Sequence, residues 1–515
     1  MPLASQVLTL IKENLPTDSK TRVSIAVLGF TCAYVVYKLV KPSKKAGLQV
    51  FKITGNNVVE VLEEAQRQCP NEPFMLSLPG MDMAVLPTSE IETIRSLPES
   101  EVSIKKHHYD VFLGEYTYMG TRADEFDSAM RNVLTRNTPA VLASFVAEVD
   151  YAVRQNIGSC KNWTNIKPRH AMSRVASLMS GRAFVGLPLS RDEEWVEATV
   201  NYTQNVSWAW MVLTILPKPI RFVLAPFLPQ VKALKRQRTI NEEKLAPLLA
   251  AKYQKESNGG PVGKKAKPST NDARDGEGGA VLDWLISQYS HPPSVRELGR
   301  DQLLATFASI YNLSNALTYV VFDLAATAPE DVEAMRQEVL DVLGDKGGII
   351  DKNSLVKLRK LDSFAKESQR LSPPSLVNIP RIVTNPKGLK TSTGHIIPAG
   401  TRMTINSHAI NQDPKLYKDP TKFDPFRFSR LREIPGNEQK YQHASTGLDN
   451  INFGHGIWAC PGRFFANAEI KVVLAHLLMN YDIKHKPGAQ KSWQKHYGLA
   501  TLPDSELEVL IKERS

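Results

Sequence analysis

Phe453-Gly-His-Gly-Ile-Trp-Ala-Cys460-Pro-Gly462, near the end of a 515-residue chain, sets one cysteine among three glycines and a proline. Gly454, Gly456 and Gly462 allow a tight loop whose backbone amides can point at the sulfur. Pro461 suits the first position of a helix, so the pattern predicts a helix over Pro461–Met479 with Cys460 near its positive end. Phe453 can cover the sulfur and exclude water. Such a setting keeps a thiolate ionised, and the thiolate is the form that ligates a metal. The alternative is a buried structural cysteine in a Gly-rich turn.

Two upstream segments bear on the choice. Lys366-Glu-Ser-Gln-Arg-Leu places Glu367 and Arg370 three apart, on one helix face. Alone, that is an ordinary surface pair. Phe423-Asp-Pro-Phe-Arg427-Phe follows it, and Cys460 comes after both. In this order, and with FGHGIWACPGRFFANAEIK around the cysteine, the chain resembles the cytochrome P450 family, in particular the microsomal enzymes of filamentous fungi. Arg182-Ala-Phe-Val-Gly-Leu-Pro-Leu, Lys360-Leu-Asp-Ser-Phe, Ser372-Pro-Pro, the Gly394-to-Gly400 turn and the Asp413-to-Pro420 segment also resemble that group. The likeness runs from about Leu48 to Ser515.

The resemblance implies a mainly α fold with a small β region, a single large haem domain behind an N-terminal membrane anchor. It implies haem b (iron protoporphyrin IX) with Cys460 as axial ligand. Phe453, Gly456, Trp458, Gly462, Arg463 and His455 are then cofactor contacts, and Glu367, Arg370 and Arg427 brace the haem-side core. By family position the substrate pocket includes Trp208, Phe307, Ala308, Leu376, Val377 and Leu499, a largely apolar set that suits a lipophilic small molecule. Trp208 can equally dip into a membrane or pack as core.

Two departures stand out. The family's distal helix usually carries an acid or His followed by Thr beside bound oxygen; here Tyr311 and Asn312 occupy those positions. Asn312 can hold a water by hydrogen bonds, but neither group ionises near neutral pH. Proton delivery then relies on water. Ordinary oxygenation with an altered relay, oxygen use for desaturation, rearrangement or coupling, peroxide rearrangement or isomerisation without external electrons, and haem binding without turnover all stay open. Trp458 stands where relatives usually have Arg or His on a haem propionate, with one N–H and no charge. His455 and Arg463 are candidates to compensate.

Elsewhere the spacing predicts a helix over Asn57–Cys69, a hairpin from Phe74–Leu78 and Met83–Leu86, and helices over Ser128–Val153, Leu303–Ala326, Glu333–Leu343 and Leu355–Leu371. Short strands follow from Val377 to Thr404. Leu303–Ala326 is apolar nearly all round, which marks a buried helix. Residues 255–279 hold almost no apolar side chain and predict a flexible surface loop. No internal repeat occurs.

Val23–Tyr37 is an uncharged run of 15 residues, extended to Val40 past Lys38. A span needs roughly 20 residues, so this is near the lower limit. A cleaved signal peptide and a buried core helix are the alternatives; no small-residue cleavage site follows. Lys38, Lys41, Lys44 and Lys45 put the chain beyond the run on the cytosolic side. The expected division is a lumenal segment 1–22, a transmembrane anchor 23–40 and a catalytic domain 41–515, held in the endoplasmic reticulum membrane.

Net charge is +11, which suits an acidic protein partner or an anionic membrane surface. No basic block interleaves with aromatics, so nucleic acid is not an expected partner. The four cysteines form neither a Cys-x-x-Cys pair nor a disulfide framework. The chain carries no G-x-G-x-x-G, so the resemblance implies electrons from a separate NADPH-dependent reductase.

Overall fold

The computed structural model describes residues 47–78, 80–121, 123–215, 221, 224–257, 280–344, 350–488 and 493–514. The expected lumenal segment 1–22 and anchor 23–40 lie outside the described residues, as does 258–279 of the expected loop. Residues 255–257 belong to a helix instead. Among the described residues, no helix is long and apolar enough to cross a membrane.

The longer helices are α1 (Val58–Gln68), α2 (Thr138–Ile157), α3 (Pro168–Phe184), α4 (Glu193–Ile215), α5 (Pro229–Ser257), α6 (Val295–Thr306), α7 (Asn312–Ala326), α8 (Pro329–Leu343), α9 (Arg359–Leu371) and α10 (Arg463–Asn480). A six-stranded sheet runs in the order Val50–Lys52, Phe74–Leu78, Met81–Leu86, Arg402–Ile405, Asn378–Val383, Val102–Ser103. Smaller sheets complete the β region, so the molecule is mainly helical, as expected.

Ser294 and Glu297 form a reciprocal capping box that opens α6. In α1, Val58, Leu62 and Ala65 repeat along one face and are buried against the sheet. Met75 pairs Ala84 and Leu78 pairs Met81 in the expected hairpin. The largest apolar cluster joins α2, α3, α7 and α10 through Phe145, Met179, Leu317 and Phe465, each at most 5% exposed.

Three expected helices differ. The Ser128–Val153 stretch is broken: a π turn at Ala129–Leu134 precedes α2. The Leu355–Leu371 stretch divides at Leu358 into Lys352–Lys357 and α9. The Leu303–Ala326 stretch contains a π turn at Phe307–Tyr311 between α6 and α7. Hydrophobic spacing reports burial, and burial continues across the breaks at Leu358 and Phe307–Tyr311; the hydrogen-bond change leaves no mark on it. The C-terminal helix begins at Arg463, two residues later than expected, with Gly462 as its cap.

One buried ion cluster ties α9 to the segment after the sheet. Glu367 is 0% exposed and Arg370 is 2% exposed. Arg370 donates to both Glu367 oxygens, at 2.7 and 2.8 Å, and Arg427 Nε donates at 3.0 Å. Remaining guanidinium N–H groups donate to the carbonyls of Asn411, Pro420 and Lys418. Removing one partner of a buried pair strands the other, at a cost of about 3–5 kcal/mol. Glu367→Leu is therefore expected to lower the urea unfolding midpoint by that stability; an unchanged midpoint would mean that the carbonyls alone hold both cations.

Candidate active site

The Cys460 loop is shaped by backbone contacts. Gly454 and Gly456 take φ of +69° and +73°, the left-handed region that glycine tolerates. A Cβ on Gly456 would run into the backbone oxygen of Arg95, at the end of the short helix Ile91–Ile94. Ile457 N–H donates to that same oxygen at 3.2 Å, and Cys460 N–H donates to the Phe453 carbonyl at 2.7 Å. Phe453 in turn stands edge-on to His443, with centroids 5.3 Å apart.

The Cys460 sulfur faces a cavity of about 2060 Å³. Backbone N–H groups of Gly462 and Arg463, the cap and first residue of α10, donate to it. The Arg463 N–H also donates to the Cys460 carbonyl, at 3.4 Å. Burial pushes the Cys460 thiol up; the Gly462 N–H, the Arg463 charge and the Arg463 N–H offset only part of that. A thiolate here needs a further positive partner, and a coordinated metal ion is one.

Two arginines meet the cavity beside this loop. Arg131 lies over the Trp458 ring, 4.4 Å from its centroid, and donates to the Ile457 carbonyl at 3.0 Å. Arg381 is 2% exposed, and its Nε has no partner among the described residues. Burial lowers the Arg381 pKa to about 10; the Glu99 charge opposes this and Arg131 adds to it. The His107 Nδ1 is also buried without a partner among the described residues. Both arginines line the cavity and neither is ion-paired with a carboxylate among the described residues. An acidic group on a flat guest would satisfy them, so a porphyrin carrying carboxylates and an iron for Cys460 fits this chain's residues.

The expected cofactor contacts divide. Phe453, Trp458 and Gly462 line the cavity with Cys460. Trp458 does not offer its N–H there: Nε1 donates to the Leu97 carbonyl at 3.0 Å. Its contribution is the ring face that carries Arg131. His455 Nδ1 lies 3.1 Å from the Thr446 hydroxyl, and Arg463 Nη1 donates to the Cys460 carbonyl at 2.8 Å. Neither residue lines the cavity, nor does Gly456, whereas Arg131 and Arg381 do. Sequence reasoning missed both arginines: nothing in their spacing separates them from surface cations.

The distal wall is the π turn Phe307–Tyr311 and the start of α7. Asn312 Nδ2 donates to the Ala308 carbonyl at 3.2 Å, which pairs a carbonyl inside the widened turn. Tyr311 stacks on Phe307 with centroids 5.5 Å apart, and Phe307 meets Phe112 edge-on at 5.3 Å. Burial pushes the Tyr311 phenol up, with Ser207 as its hydrogen-bond partner, so it stays neutral.

Of the expected pocket residues, Trp208, Phe307, Ala308, Val377 and Leu499 line the cavity. Leu376 does not. Its backbone N–H donates to the Leu499 carbonyl at 2.9 Å, which fixes it in the bend that precedes the strand Asn378–Val383. Ser375 and Val377 meet the cavity, and Leu376 packs with Phe74, Leu76 and Val85.

Gly456→Ala is expected to push the 456–458 turn off Arg95 and lower the haem-to-protein ratio of purified protein several-fold. Gly436→Ala, at φ +86° with nothing within 4 Å of its new Cβ, controls for the backbone strain alone. Equal haem content in the two variants would deny the Gly456–Arg95 contact its role.

Comparison with known proteins agrees with this geometry. The cytochrome P450 family profile matches residues 129–510. Cytochrome P450 monooxygenase ataF of Aspergillus terreus is 58% identical over 479 residues, 92% of this chain and 94% of that protein. Cytochrome P450 monooxygenase gliF of Aspergillus fumigatus is 52% identical over 512 residues, 97% and 99% of the two chains. Among solved structures, retinoic acid-bound cyanobacterial CYP120A1 superposes with a TM-score of 0.64 at 18% identity, covering 91% of this chain and 99% of that one, which speaks to the fold. The cysteine loop, the Glu367 cluster and these relatives lead to one conclusion: this chain belongs to the cytochrome P450 family and is a cytochrome P450 monooxygenase.

Proposed function

We propose that the chain is a haem b monooxygenase of fungal secondary metabolism, with Cys460 as the axial thiolate and a lipophilic small molecule as substrate. Residues 23–40 tether it to the endoplasmic reticulum membrane, and an NADPH-dependent reductase supplies electrons. One observation carries the site assignment: Cys460 Sγ faces the cavity with two backbone N–H groups directed at it.

Bound haem supplies oxygen activation, and thiolate ligation favours O–O cleavage. The chain does the rest. Gly462 and Arg463 N–H groups hold charge on the sulfur. Arg131 and Arg381 neutralise the acidic edge of the cofactor. Phe307, Val377 and Leu499 present apolar surface that orients the substrate and excludes water. Asn312 braces the widened turn at Ala308 and has amide capacity left for a water.

A second reading keeps one observation in its favour. Tyr311 and Asn312 are both neutral at the positions nearest the reacting face, and that suits desaturation, rearrangement or coupling as the outcome of oxygen use.

Cys460→Ser is expected to abolish the long-wavelength Soret band of the reduced carbonyl complex that marks thiolate ligation; retention of the band would reassign the ligand. Asn312→Thr is expected to raise product formed per NADPH in the reductase-coupled reaction. A fall in that ratio would favour the second reading, with Asn312 tuned for it.

A further inference from the structure

Three buried side chains of α7 carry polar atoms without a hydrogen-bond partner among the described residues. They are the Asn315 amide oxygen, the Tyr319 hydroxyl and one Asp323 carboxylate oxygen. Their residues are 3%, 2% and 5% exposed. Spaced four apart, they form one stripe along the helix, and Tyr311 begins the same stripe one turn earlier. One such group left unpaired costs about 1–3 kcal/mol. Three in register make a buried polar stripe, and ordered water is the usual partner of such atoms in proteins.

The stripe meets the cavity directly at its near end and only through a neighbour at Asp323. Tyr311, Asn312, Asn315 and Tyr319 line the cavity. At the far end Asp323 is hydrogen-bonded to Ser368, which lines the same cavity. Beside it, the Gln369 amide oxygen is buried and unpaired among the described residues. The cavity reaches the exposed residues Ser505 and Glu506 at the surface.

We propose that Asn315, Tyr319 and Asp323 hold a file of water that carries protons from this surface arm to the distal turn at Tyr311–Asn312, with the Asp323 carboxyl giving up and regaining the proton. The step moves one proton and no electrons. The Asp323 O–H bond breaks, the proton passes along water and the Tyr319 hydroxyl to water beside Asn312, and the carboxylate is reprotonated from water in the Ser368 arm. Burial, with the Glu367 charge adding and the Ser368 hydrogen bond opposing, raises the Asp323 carboxyl to about 7, so both of its forms are accessible near neutral pH. Burial and the neighbouring Asp323 push the Tyr319 phenol up, so it relays as a neutral hydroxyl. The ionisable group absent from positions 311 and 312 is then supplied from three turns along the same helix. This inference rests on the cavity being the haem site proposed above.

The test uses the full-length, haem-loaded enzyme with its reductase, as wild type, Asp323→Asn and Tyr319→Phe. Tyr319→Phe deletes one oxygen and keeps the packing. Expected results are a protonated-carboxyl infrared band in wild type that shifts in D2O and is lost in Asp323→Asn. Both variants should lose about tenfold in product per NADPH, less than the roughly 10²–10⁴-fold of a positioned proton donor because bulk water partly substitutes. The solvent isotope effect on product formation should rise, with substrate binding and the carbonyl Soret band unchanged. Unaltered coupling and isotope effect in both variants, with a normal Soret band, would overturn the proton file and leave the haem assignment intact. An abnormal Soret band in the wild type would instead overturn the haem assignment.

Discussion

Glu367 is a carboxylate with no exposed surface, set between two buried guanidinium groups. A lone charge in that place would be prohibitive, so its partners must arrive together in fixed geometry. Arg370 comes from the same helix and needs little organisation. Arg427 comes from a distant segment, and both arginines spend further N–H groups on carbonyls between Asn411 and Lys422. A stretch with almost no regular structure is thereby given one conformation. Asn411 then exchanges amide hydrogen bonds with Asn452, and Tyr417 donates to the Asp449 carbonyl. Phe453 follows directly, so the cysteine loop inherits its position from the ion cluster.

The two walls of the cavity are built on different principles. On the cysteine side, positive-φ glycines, carbonyl acceptors and helix-start N–H groups place the sulfur, and few side chains matter beyond Cys460 itself. On the distal side the backbone is interrupted by a π turn, and side chains decide its character. Asn312 pairs a carbonyl of that turn, Tyr311 stacks away on Phe307, and no group that ionises near neutral pH stands at either position. The nearest carboxyl on the same helix is Asp323, which makes a long-range proton supply the natural counterpart of a neutral distal turn.

Trp458 shows how a departure from the family pattern is absorbed. An indole cannot replace a cation, and its only N–H is taken by Leu97. Its ring instead holds Arg131 at 4.4 Å, so a charge from the π turn Ala129–Leu134 reaches the place the sequence leaves neutral. The positive edge of the cavity is kept by residues more than 300 positions apart in the chain.

The sequence by itself pointed to the cysteine loop and the Glu367–Arg370 pair through residue type at short spacing, and to the family, Arg427 and most of the apolar wall through the resemblance those motifs carry. Glycine at positive φ, proline before a helix and carboxylate three residues from arginine act locally. Helix breaks at Leu358 and Phe307 escaped it, because burial continues through them. Leu376 was assigned to the cavity but packs into the core, because it lies in a bend whose direction only the folded chain fixes. Arg131, Arg381 and the Asn315–Tyr319–Asp323 stripe were decided by tertiary structure alone. A charged or polar residue in a buried stretch is ambiguous until its neighbours are known, and whether it is paired, stacked or left with an orphaned atom depends on elements that meet only in the folded chain.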